Sequence, residues 1–92
     1  MKEPRLLRIQ SFRVTTIFEK IKMEEDESFD EFYVKLKDIV NLAFNLGETI
    51  PEPKIVRKVL RSLPERFHDK ITIIEESKDI DKIPLMELVG NL

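Results

Sequence analysis

The chain has 92 residues but no cysteine, no tryptophan and only two glycines, Gly47 and Gly90. Without cysteine there is no disulfide, no thiolate nucleophile and no Cys-ligated zinc. The same lack accords with a cytoplasmic location. Two isolated glycines cannot form a glycine-rich loop around a phosphate. His68 is the one histidine, so any nucleophilic triad would have to use it as the base. Its surroundings, Arg66-Phe67-His68-Asp69, hold no second histidine at helical spacing for a metal. It is read as an exposed side chain. No apolar run approaches the ~20 residues that cross a bilayer. The opening MKEPRLLRIQ is charged throughout and has no signal-peptide core. The net charge of −2 provides no global field toward nucleic acid or anionic membrane. The expectation is a chain without enzyme activity, cofactor, metal or small-molecule substrate.

What is present is helical patterning. Hydrophobic residues make up 41% of the chain, enough for a folded core, and charged residues 37%, a surface dense in ions. A domain of this size buries only roughly 60–65% of its unfolded surface, so its stability is modest or shared with a partner. The stretch SFDEFYVKLKDIVNLAFNL, 28–46, organises the rest. Phe29, Phe32, Tyr33, Leu36, Ile39, Val40 and Ala43 recur at spacings of three and four, which places them on one broad helical face. Ser28 and Glu31 form the Ser-x-x-Glu pattern of a capping box, and Gly47 suits the left-handed residue that ends a helix. Every other segment is expected to pack on this helix.

The remaining helices are expected at 5–22, 52–62, 65–76 and 84–91. In the first, Leu7, Val14, Phe18 and Ile21 make a stripe that Leu6, Ile9 and Phe12 widen. This apolar set is wide for a surface helix. Leu6, Ile9, Phe12 and Val14 are candidates for a self-association surface, or they finish the core. In the third, Ile55, Val56, Val59, Leu60 and Leu63 face inward. Leu63-Pro64 stops it, because the residue before proline disfavours the helical region. The stretch 65–76 includes Ile71-Thr72-Ile73-Ile74, which alone reads as a strand. With no second strand candidate to pair it, helix is preferred. The whole is a small all-α bundle of about five helices.

Charge is unevenly placed. Glu24, Glu25, Asp26, Glu27, Asp30 and Glu31 cluster without a compensating base. The first four read as a solvated link that favours the next helix's N-terminal end, because a calcium loop needs spaced ligands and a glycine turn. Lys54, Arg57, Lys58 and Arg61 share one face of the third helix as a basic stripe. Three readings stand: two solvated faces, electrostatic complementarity within the fold or between copies, or a nucleic-acid stripe. The last ranks lowest, because no aromatics interleave the stripe and the chain is acidic.

Three strings, KMEEDESFDEFYVKLKDIVN, LGETIPEPKIVRKVLRSLPERF and IEESKDIDKIPLMELVGNL, occur in this order. Together they resemble the Gag polyprotein of copia-type LTR retrotransposons over roughly 18–92. The most specific pieces are Glu27-Ser28 with Phe32-Tyr33, the run 56–64, and the run 74–79. Asp69 stands where the family often has proline, and Ile83-Pro84 replaces a Ser- or Thr-rich approach to the last helix. The resemblance implies a structural capsid protein that self-assembles into a virus-like particle around the element's RNA. It also implies a likeness to the all-helical C-terminal domain of retroviral capsids. The homology region that opens that domain has a polar turn and an aromatic-bearing helix, a setting similar to that of Glu27, Phe29, Phe32 and Tyr33. Residues 1–22 would then be a linking helix or the end of the preceding capsid region, and 23–92 the C-terminal-like domain. The family's zinc knuckle requires cysteines, so specific nucleic-acid binding is not expected here. The implied partner is the chain itself, as a homodimer or higher oligomer. The alternative is a host-adopted, Gag-derived module for dimerisation or protein interaction.

Overall fold

A computed structural model describes the backbone of residues 4–77 and 79–92, and side chains from residue 12 onward apart from residue 78. Among the described residues there are five α-helices and no strand: α1 Pro4–Lys20, α2 Phe29–Asn45, α3 Glu52–Ser62, α4 His68–Ser77 and α5 Leu85–Gly90. The chain is all-α, as its periodicity indicates.

The contacts divide the chain into two units. One holds α1 and α2, through Ile21 and over Glu27–Ile50; the other holds Lys22–Asp26 and Pro51–Leu92.

In the first unit α1 packs on α2. Val14 and Phe18 of α1, four residues apart, are buried, and so are Phe32, Leu36 and Ala43 of α2. These spacings of four and seven lie along one side of a helix, which is why each helix presents a continuous apolar stripe. The start of α2 is fixed locally. The Ser28 hydroxyl accepts from the Glu31 amide at 3.1 Å, and the Glu31 carboxylate accepts from the Ser28 amide at 2.9 Å. Its end is fixed as well. Gly47 adopts φ 88°, its amide donates to the Phe44 carbonyl at 3.0 Å, and the Glu48 amide reaches back to the Ala43 carbonyl at 2.8 Å. This pair of bonds is a Schellman closure, which needs a left-handed residue that glycine supplies without a Cβ penalty. Replacing Ser28 by alanine is expected to lower unfolding stability by about 1 kcal/mol, since it orphans one first-turn amide. Urea unfolding followed by circular dichroism measures this. An unchanged midpoint would show that water replaces the hydroxyl at no loss.

In the second unit α3 packs on α5. Ile55, Val56, Val59 and Leu60 are buried on α3, and Ile83, Leu85 and Leu88 are buried at and before α5. Pro64 ends α3, and a short 3₁₀ turn, Glu65–Phe67, leads into α4. One helix was expected over 65–76. The difference lies in its first turn, where Pro64 has no amide and Phe67 donates instead to the Pro64 carbonyl, three residues back. Helix α5 has only six residues and Pro84 at its start, with no side-chain cap of its own. Glu52, at the start of α3, provides one: its carboxylate accepts from the Leu85 amide at 2.6 Å. The link before α2 joins this unit through buried Met23, whose amide donates to the Ser62 carbonyl at 3.0 Å. The Arg66 guanidinium also donates to the Glu25 carbonyl at 2.7 Å.

Candidate self-association site

Side by side, α1 and α2 leave an open groove of about 610 Å³. Thr16, Ile17, Lys20 and Ile21 line it from the α1 side, and Lys35, Asp38 and Ile39 from α2. On α1 the buried stripe runs through Val14 and Phe18, while Ile17 lies at half exposure, 50%. Phe12 lies one helical turn before Thr16, and the Thr16 hydroxyl donates to the Phe12 carbonyl at 2.9 Å. The two therefore neighbour each other on α1, and Phe12 is 72% exposed. Leu42 stands one turn beyond Asp38 on α2 and is 48% exposed. Ile17, Ile21 and Ile39 are the apolar residues that line the groove.

The four candidates on α1 separate. Val14 is buried and belongs to the core, whereas Phe12 is exposed and does not line the groove. Leu6 and Ile9 lie outside the described side chains. Ile17 and Ile39 were not among the candidates for this surface. The available signal was the excessive width of the apolar set on α1, which pointed to a surface without saying which residues form it.

The residues in the homology-region-like setting gather at the start of α2. The Glu27 carboxylate pairs with the Lys35 ammonium at 2.8 Å, two helical turns on. The Phe29 and Tyr33 rings stack with centroids 5.7 Å apart, and Phe29 meets Phe32 at a tilt, 6.3 Å away. Phe32 is fully buried, and Phe29 and Tyr33 are half-buried. This cluster has the arrangement of a helix-start support for the core, with offset and tilted ring contacts that aromatic quadrupoles favour.

One member of the basic stripe on α3 is held within its own unit. Arg57 pairs with Asp81, and Lys54 and Lys58 also have interaction partners. Arg61 is exposed in the last turn. The clustered acids of the link do not supply Arg57's partner; Asp81, from the turn before α5, does. His68 is exposed at the start of α4. Among the described residues no group of three or more acidic or histidine side chains is placed to hold a metal. No helix among them is long and apolar enough to cross a membrane.

The sequence matches the family described as gag-polypeptide of LTR copia-type over residues 8–92. The chain belongs to that family. Neither a curated protein nor a solved structure matches it. The matched span of this gag chain includes all of α2, α3, α4 and α5 and most of α1. Both helices of the groove are therefore part of the gag-polypeptide sequence, whose role is structural.

Proposed function

We propose that this gag domain self-associates, as a building unit of the virus-like particle that encloses the element's RNA in the cytoplasm. The observation that carries the reading is the family match across nearly the whole chain. The open apolar groove of α1 and α2 gives such an association a surface. Assembly of a lattice requires only weak contacts, because each is repeated many times and multivalency raises the effective affinity. In this reading residues 1–22 are a linking helix or the end of the preceding capsid region, and 23–92 the domain akin to a retroviral capsid C-terminal domain. That is a division by descent and is separate from the two contact units. Nucleic acid is not a specific ligand of this chain, in keeping with the pairing of Arg57 in the basic stripe with Asp81.

Light scattering across a wide concentration range, at low and high salt, tests the reading. The expected result is a molar mass that rises reversibly from monomer to dimer or beyond. A strict monomer at every concentration would overturn it.

A further inference from the structure

The groove carries charges of both signs on its rims and an apolar floor between them. Lys20 lines it from α1, and Asp38 and Lys35 line it from α2, together with Ile17, Ile21 and Ile39. Lys35 is already held by Glu27 at 2.8 Å. Among the described residues, neither Lys20 nor Asp38 has an ion-pair partner. Each is exposed.

We propose that the groove is covered by the same groove of a second copy across a two-fold axis, with Lys20 of each copy facing Asp38 of the partner subunit. The inference rests on the self-association reading and names its surface and register. A two-fold contact is isologous: if residue i meets residue j, then j meets i. A strip with one unpaired cation and one unpaired anion on opposite rims is complementary to itself under that operation. With the axis along the groove, the Lys20–Asp38 pair forms twice, once on each side, while the isoleucines of the two copies cover each other. A polyanion would suit Lys20 but meet Asp38 with like charge, and a basic segment would do the reverse. Like charges brought together across an interface weaken it strongly.

A charge swap in the full 92-residue chain is the test, read by sedimentation equilibrium at low salt with helical content checked by circular dichroism. Lys20→Asp and Asp38→Lys are each expected to weaken the dimer about tenfold, because symmetry brings each change in twice. The double variant Lys20→Asp with Asp38→Lys is expected to recover the wild-type dimer constant within about threefold. Ile17→Asp, placed on the half-exposed floor, is expected to give a monomer with unchanged helicity. Single reversals that leave the dimer constant unchanged, a double variant that fails to recover, or an Ile17→Asp chain that still dimerises would overturn the proposal. In each of those outcomes the self-association of the wild-type chain would stand. A wild-type chain that is monomeric throughout would overturn both.

Discussion

Truncating Phe32 to alanine is expected to lower the unfolding free energy by ~3–5 kcal/mol, the usual range for a buried phenylalanine. Phe32 has no exposed surface, and its ring lies 6.3 Å from that of Phe29 in the first turns of α2. A chain of this length has a total stability of roughly 5–14 kcal/mol, by ~0.05–0.15 kcal/mol per residue. The loss is therefore a large fraction of the whole, and at the lower end it unfolds the chain. Urea denaturation followed at 222 nm measures it. Tyr33→Phe is the comparison: it keeps the ring stacked on Phe29 and is expected to shift the midpoint little. A loss below about 1 kcal/mol for Phe32→Ala would mean that neighbouring side chains collapse into the cavity. It would also refute the central place of Phe32 in the core. Particle assembly would fail in Phe32→Ala without any interface residue having changed, so assembly assays of core variants need a folding control.

Leu88→Ala is expected to cost about 2–5 kcal/mol by the same cavity argument. Here the local consequence is sharper. Helix α5 has six residues, far fewer than the ~12–15 that an isolated helix needs to be even marginal in water. It is held by Leu85 and Leu88, both buried, and by the Glu52 carboxylate on its first amide. Removing the Leu88 side chain, which is fully buried, takes away one of these anchors. Amide hydrogen exchange measures the result, with protection expected to fall first in the amides of α5. Met86 is on the same helix but 77% exposed, and Met86→Ala is expected to stay within about 0.5 kcal/mol of wild type. If Met86→Ala and Leu88→Ala destabilised equally, α5 would be packed on a different face.

How far the sequence carried can be seen in individual residues. The capping box at Ser28 and Glu31, the left-handed Gly47 and the stop at Pro64 were all legible, because each involves groups within a few positions of one another. Helix α1 was expected to reach residue 22 and ends at Lys20, with Ile21 still donating to the Ile17 carbonyl. The choice of helix over strand for Ile71-Thr72-Ile73-Ile74 follows the same local logic, and these residues lie in α4. Helix α2 takes α1 as its partner in the first unit, and α3 and α5 pair within the second. Periodicity identifies an apolar face without naming its partner.

The sequence by itself therefore determined the helices, the caps at both ends of α2 and the gag family, since all three are written in short-range patterns and in strings of consecutive residues. Only the tertiary structure decided which apolar residues are covered. Val14 and Ile17 differ by three positions on one helix, yet one is buried and the other opens onto a groove. It also decided that Glu52 caps a helix 33 residues away, that Arg57 pairs with Asp81 24 residues on, and that Arg66 holds a carbonyl 41 residues back. The physical reason is range: a helix and its caps are set by hydrogen bonds spanning three or four residues, whereas burial and ion pairing depend on which surfaces the packed chain brings within a few ångströms.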